Sequence, residues 1–160
     1  RVWSVSVLFT GHAELTIDAK QRLAIPSKFR GLLDAARDGN AWYCVPWPGG
    51  LLRLYTAPRF MTLAERSEQS LTPDQDEASL QSDLFGFAER LEMDSAGRIS
   101  LPRVQLELTG LGTEVVVVGA GNRLEVRDRS TWMASMKDRF SQLPTLVARI
   151  EGKKTRGTEK

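Results

Sequence analysis

Two aspartates in this chain each stand four residues ahead of an arginine: Asp18 before Arg22, and Asp94 before Arg98. Across a tight turn, a carboxylate at that spacing can accept hydrogen bonds from turn amides and from the guanidinium together. Such a bond locks the turn and also fixes the arginine. A guanidinium held this way still offers paired donors to a phosphate or to the acceptor edge of guanine. Lys20 places a second cation inside the first turn. The candidate anion-contacting residues are thus Lys20, Arg22 and Arg98, with Asp18 and Asp94 as turn clamps. Stability alone is a weak reason for such a pair, since an exposed ion pair contributes about 0–1 kcal/mol.

Other chemistries find little support. The single cysteine, Cys44, and single histidine, His12, cannot supply a Cys/His zinc set, and one cysteine cannot pair within the chain. Cys44 lies in an apolar run that reads as a buried strand, where a structural thiol is expected. The segment Gly119 to Asn122, "GAGN", lacks the Lys-Ser/Thr of a phosphate-cradling loop and leads into a strand. The carboxylates beside the arginines are expected to titrate low, which suits them poorly as general acids. The chain reads as a non-enzyme with no metal, cofactor or small-molecule substrate. No apolar run approaches the roughly 20 residues that span a bilayer. "RVWSVSVLF" reads as a leader followed by the first strand rather than as a signal peptide.

The elements that must position the two pairs also come twice. Asp18 and Asp94, Arg22 and Arg98, and Pro26 and Pro102 are each 76 positions apart. Leu15 matches Leu91, Ile17 matches Met93, Leu23 matches Ile99 and Ile25 matches Leu101. Further on, "LRLYTAPRF" aligns with "LEVRDRSTW" at a separation of 72, and Phe60 meets Trp132. The difference falls near Asp38 to Asn40, where a loop is expected. Each copy alternates apolar and polar residues into the aspartate turn and returns as a short strand. Ile25 and Leu101 precede prolines, which favours extended backbone there. A helix is then expected over "SKFRGLLDAA", burying Phe29, Leu32 and Leu33. Its counterpart over "VQLELTGL" should end near Gly110. Strands follow at "AWYCV", "LLRLY", "TEVVVVG" and "RLEVR", with turns at "PWPGG" and "GAGN".

This gives a first repeat over 1–71, a linking helix over 72–86, a second repeat with a C-terminal helix over 87–143, and a tail over 144–160. The linking helix has Thr72 as N-cap, Pro73 at its first position and Gln75 as capping-box partner. The last helix carries Trp132, Met136, Phe140 and Leu143 on one stripe and should stop at Pro144. The basic, polar tail is expected to be disordered. Net charge is only +2. The first third is basic, through residues such as Lys28, Arg30, Arg37 and Arg53, and the middle is acidic.

The stretches "FTGHAELTIDAKQRLAIPSKFR", "LEMDSAGRISLP" and "VVVVGAGNRLEV" with a later "STW" resemble the MraZ family of bacterial transcriptional regulators, over roughly residues 8–140. The doubled Asp-x-x-x-Arg is the specific part; one copy resembles only the wider AbrB-like group. The resemblance implies an α+β fold, with a swapped-hairpin AbrB-like β-barrel built from two internal repeats and flanked by helices. It implies a DNA-binding repressor of the division and cell-wall gene cluster, acting as a ring-shaped homo-oligomer on repeated operator boxes. Its partners would be double-stranded DNA and further copies of itself, with no membrane partner, in the cytoplasm and at the nucleoid. Lys20, Arg22 and Arg98 would contact DNA. Where the family carries glycine before the first arginine this chain has Gln21, so the first turn is expected to differ locally. The alternative is an AbrB-like oligomeric or antitoxin-like module whose main partner is a protein.

Overall fold

A computed structural model describes residues 7–67 and 70–158 of the chain. The leader reading falls on residues 1–6, outside the described residues. The described chain divides into two compact units, 1–129 and 130–160.

In the first unit the two copies run in parallel order. Copy one holds β1 (His12–Thr16), β2 (Arg22–Ala24), the short helices α1 (Ser27–Arg30) and α2 (Ala35–Asp38), β3 (Ala41–Trp47) and β4 (Leu51–Thr56). Two helices follow, α3 (Ala57–Ser67) and α4 (Gln75–Phe87). Copy two holds β5 (Glu89–Glu92), β6 (Arg98–Ser100), α5 (Arg103–Thr109), β7 (Glu114–Gly119) and β8 (Leu124–Asp128).

The strands interlock across the copies. β1 does not pair with the strand that follows its turn; it pairs antiparallel with β7 of copy two, and β5 pairs with β3 of copy one. β4 and β8 join the halves, giving a six-stranded sheet in the order β1-β7-β8-β4-β3-β5. β2 and β6 form a separate two-stranded ribbon. Leu23 lies opposite Ile99 in the ribbon, and Arg53 lies opposite Glu125 in the sheet. Those two pairs lie on the pseudo-twofold relation between the copies. The α+β class with antiparallel sheets holds, but the closed barrel implied by the resemblance is not found. The six-stranded sheet ends at β1 and β5, each paired on one side only among the described residues.

Alternation fixes which face is inside. Trp42 and Cys44 of β3, Leu52 and Leu54 of β4, Val115 and Val117 of β7, and Leu124 and Val126 of β8 are buried in one cluster. Leu23, Ile99, Phe9 and Phe29 join it. Phe9 packs edge-on against Phe29, with ring centroids 6.0 Å apart. On the outer face, α3 and α4 cover β3 and β4. Tyr43 stacks on Phe60 at 4.4 Å, and Phe85 meets Phe60 edge-on at 6.1 Å.

Several local expectations differ from the structure. The helix over "SKFRGLLDAA" is broken into α1 and α2, because Asp34 caps a new start by accepting from Ala36 N and Arg37 N. Leu32, in the connection, is therefore exposed, while Phe29 stays buried. Gln105 occupies the place in α5 that Phe29 holds in α1, 76 positions earlier, and it too is buried. Its amide donates to Cys44 O at 2.9 Å and Phe87 O at 2.8 Å, tying α5 to β3 and to the end of α4. α4 starts at Gln75 with Asp74 as its cap, in place of Thr72; the Asp74 carboxylate accepts from Glu77 N at 2.8 Å.

The second unit comprises the rest of α6 (Arg129–Ala134), then α7 (Met136–Ser141) and α8 (Leu143–Thr158). The single helix expected here breaks at Ser135, whose hydroxyl turns back to Thr131 O. Arg139 stacks on the Trp132 ring at 4.5 Å and donates to Ser135 Oγ. Pro144 does not end a helix. It sits in the first turn of α8, where its missing N–H costs nothing. Residues 144–158, part of the 144–160 tail expected to be disordered, belong to α8. Leu143, Leu146, Val147 and Ile150 give this segment a helical apolar stripe ahead of its basic end.

Candidate nucleic-acid interface

The two aspartate turns are built identically. Asp18 Oδ1 accepts from Lys20 N at 2.9 Å and Arg22 N at 2.8 Å, and Oδ2 accepts from Arg22 Nε at 2.8 Å. Asp94 Oδ1 accepts from Ala96 N at 2.9 Å and Arg98 N at 3.0 Å, and Oδ2 accepts from Arg98 Nε at 2.9 Å. Backbone bonds close each turn: Asp18 N to Arg22 O, Gln21 N to Asp18 O, Asp94 N to Arg98 O and Gly97 N to Asp94 O.

The last turn residue needs positive φ, and both chains of atoms reach it. Gly97 has φ 76° and Gln21 has φ 62°. The expected difference in the first turn is therefore absent; Gln21 takes the left-handed conformation at a backbone cost of roughly 1–2 kcal/mol. Gln21→Gly should raise stability by about 0.5–1 kcal/mol, the relief of strain less the extra freedom of the unfolded glycine. Urea melts of parent and variant measure it. Gly97 cannot be exchanged in the same way. A Cβ there would lie 2.6 Å from Arg30 Cδ, so Gly97→Ala should destabilise through both strain and contact.

The ribbon brings the two arginines together. Gln21 O accepts from Leu101 N, and Gly97 O accepts from Ile25 N, each at 2.9 Å, so each turn is bonded to the opposite strand. Leu23 and Ile99 point into the core, so Arg22, Ala24, Arg98 and Ser100 share the outward face. Arg22 lies opposite Ser100 and is thus a diagonal neighbour of Arg98, at roughly 7–8 Å. Their side chains are 27% and 36% exposed. Each Nε is spent on its aspartate, and the terminal nitrogens have no hydrogen-bond partner among the described residues. The arrangement is a pair of oriented, anchored cationic forks on one two-stranded ribbon.

Both clamping carboxyls are held below the usual aspartate range. The backbone N–H of Arg22 is the main cause for Asp18, and that of Arg98 for Asp94; the guanidinium bond and charge add to it against a smaller effect of burial. A depressed folded-state pKa means the clamp contributes above the unfolded-state value, near 3.9, and is lost as pH falls through the lower folded value. The double variant Asp18→Asn and Asp94→Asn should flatten part of the stability loss below about pH 4. Acid titrations followed by circular dichroism check this.

Sequence reasoning missed Arg30. It donates from Nε to Ile25 O at 2.9 Å and lies over Gly97, adding a cation beside the second turn. Its place in α1 corresponds to Leu106 in α5, so no repeat signal marks it. Beside the first turn, the matching position is an open groove lined by Asp18, Gln21, Arg103, Leu106 and Glu107. Lys20 is exposed next to that groove; only its backbone N–H serves the clamp. Cys44 is fully buried, which pushes its thiol up and keeps it protonated. Among the described residues no group of three or more His, Cys, Asp or Glu could hold a metal ion. No helix there is long and apolar enough to cross a membrane.

The sequence is similar to those of known proteins. A family model described as "MraZ protein, putative antitoxin-like" matches residues 84–145, which include the second clamped turn and its ribbon strand. The protein named Transcriptional regulator MraZ in Methylobacillus flagellatus is 34% identical over 134 residues, covering 84% of this chain and 90% of that protein. Its namesake in Thioalkalivibrio sulfidiphilus is 37% identical over 139 residues, covering 84% and 89%. The one from Coxiella burnetii is 30% identical over 131 residues, covering 82% and 86%. With likeness of this depth over more than four-fifths of its length, the chain belongs to the MraZ family.

Proposed function

We propose that the chain is a sequence-specific DNA-binding transcriptional regulator that reads double-stranded DNA with the outward face of the β2–β6 ribbon. One observation carries this reading: Arg22 and Arg98 project from the same face, each oriented by its own aspartate. A two-stranded ribbon fits the major groove, where an arginine fork meets guanine O6 and N7. A spacing of roughly 7–8 Å matches about two base-pair steps of 3.4 Å each. Lys20 and Arg30 add charge for phosphates on either side. One ribbon binds weakly; several ribbons in a ring-shaped homo-oligomer, placed over repeated operator boxes, gain affinity through avidity. The regulator would act as a repressor of the division and cell-wall gene cluster, in the cytoplasm and at the nucleoid. The name that the relatives bear, transcriptional regulator, supports regulation of transcription.

A footprint of the purified protein on its own upstream region, run with a native mass measurement, tests the reading. Regularly spaced protected boxes and a mass of several subunits are expected. A monomer with no protected boxes would overturn it. The antitoxin-like description of the matching family model favours a second reading, a protein as main partner. Salt separates the two: phosphate contacts predict a log–log slope of about −0.9 per neutralised phosphate, and an apolar protein contact does not.

A further inference from the structure

Two helices, one in each unit, leave an apolar side exposed. α8 carries Leu143, Leu146, Val147 and Ile150 at the i, i+3, i+4, i+7 spacing of one helix face, and all four are exposed. α4 carries Leu80, Leu84 and Phe87 at i, i+4, i+7. Its neighbour Phe85 turns onto Phe60 of α3. Leu80 and Phe87 stay outside, 59% and 48% exposed, with half-buried Leu84 between them. The patch continues past Phe87 into a recess lined by Trp47, Pro48 and Leu108. A contiguous exposed apolar patch rimmed by charge marks an interaction surface.

The charges on the two helices are opposite. α4 holds Asp76, Glu77 and Asp83, with Asp74 as its cap and no basic residue. α8 holds Arg149, Lys153, Lys154 and Arg156 against one acid, Glu151. The stripes also match in length: Leu80 to Phe87 and Leu143 to Ile150 are each seven positions, about 10.5 Å of helix. Laid antiparallel, with Ile150 beside Leu80 and Leu143 beside Phe87, the helices bring Lys153 to Glu77 and Arg156 to Asp74. A parallel arrangement would carry Lys153 past Phe87 toward Arg90. Charge opposes pairing α8 with another α8. A parallel pair sets the two basic ends side by side, and an antiparallel pair sets each against Lys137 and Arg139 of α7, with only Asp138 between them.

We propose that α8 of one molecule docks antiparallel along the outer side of α4 of a second molecule of the same chain. This rests on the homo-oligomer reading above and names the surface that joins its subunits. The anchors follow the i, i+3, i+4, i+7 pattern by which an amphipathic helix seats on an apolar surface. The basic end of α8 meets the acidic start of α4, which fixes the direction. Each molecule contributes one α8 and one α4, two different surfaces, so the contact is heterologous and generates a ring where its rotation closes. A DNA backbone would engage only the basic end of α8 and leave Leu143 to Ile150 in water.

The test uses the full chain and native mass measurement over a range of protein concentrations, with circular dichroism to confirm the fold of each variant. Asp76→Lys with Glu77→Lys on α4, or Lys153→Glu with Arg156→Glu on α8, should each raise the concentration needed for assembly at least about tenfold, by setting like charges together. An equal mixture of the two reversed proteins should regain the parent's assembly, because each α8 then meets an α4 of opposite sign on another molecule. Leu146→Ala with Ile150→Ala leaves the charges in place and should also weaken assembly, which keeps the test open if a reversed protein fails to fold. If the parent assembles and every variant assembles equally well, this contact falls while the homo-oligomer stands. Reversed proteins that lose assembly and do not regain it on mixing would overturn docking between molecules. An unrelated DNA duplex is the second arm: if the α8 reversal keeps the parent's mass and loses duplex affinity, α8 serves backbone phosphates and the assignment falls. A parent that is monomeric at every concentration would remove the homo-oligomer reading and this contact together.

Discussion

Replacing Arg22 and Arg98 together with alanine is expected to lower operator affinity by a factor of about 30 or more, with the native mass per particle unchanged. Each bidentate arginine–guanine pair is worth about 1–3 kcal/mol, and about 1.4 kcal/mol is a tenfold change in affinity. The single variants should each lose about fivefold or more by the same reasoning. The fold should tolerate the change, because Leu23 and Ile99, not the arginines, hold the ribbon on the core. Arg22→Lys should behave much like Arg22→Ala. Lysine keeps the charge but has no fork, and it lacks the Nε that Asp18 holds at 2.8 Å. Asp18→Ala should weaken binding indirectly, by releasing Arg22 and two turn amides. Fluorescence anisotropy at one fixed salt concentration, with mass measurement of each variant, decides these points. Stronger DNA binding by Asp18→Ala would mean that the carboxylate acts only as a repelling charge.

Leu23→Ala or Ile99→Ala is expected to cost about 2–5 kcal/mol in stability. Both side chains are fully buried, and they face each other across the ribbon at the relation between the copies. Truncating one leaves a cavity between strands from different repeats, which the short ribbon cannot close. As contacting residues, the two should be non-additive: the double variant should depart from the sum of the singles by about 0.5–3 kcal/mol. Additive losses would indicate that the repeats do not meet at this pair. Urea unfolding of the four proteins gives the cycle. DNA affinity should fall with folded fraction in these variants, whereas the arginine variants lose affinity while folded.

Much of the site was legible because it is local. Asp18 to Arg22 and Asp94 to Arg98 are five-residue turns whose aspartate hydrogen bonds stay inside the turn, so residue type and spacing carried them. The strands around Leu52, Leu54, Leu124 and Val126 were legible from period-two burial. The partner of each strand was not. Alternation states which face of β1 is inside, and is silent on whether β1 meets β2 or β7. The pairing of β1 with β7 and of β5 with β3 is not written in that alternation, and the open edges of the sheet, in place of the closed swapped-hairpin barrel that the resemblance implied, came only from the structure.

Where the two copies diverge, the repeat misled. Phe29 drew attention as an apolar core residue, while Gln105 at the same place in copy two is buried through two carbonyl contacts that no pattern announces. Arg30 over Gly97 likewise has no counterpart in the other copy. Gln21 shows the reverse: a residue poorly suited to positive φ adopts it because four surrounding hydrogen bonds define the turn. At the C-terminal end, composition suggested disorder and Pro144 suggested a stop. Helix geometry instead makes Pro144 a start, and the stripe from Leu143 to Ile150 helical.

The most direct test of the paired-arginine interface is the ratio of affinities for the operator and for an unrelated duplex of equal length, at one salt concentration. For the parent the ratio should lie far above one. For the Arg22→Ala, Arg98→Ala double variant it should collapse toward one, with the residual phosphate attraction shared by both duplexes. A double variant that stays folded and keeps the parent's ratio would contradict the assignment of those two side chains as the readers of DNA.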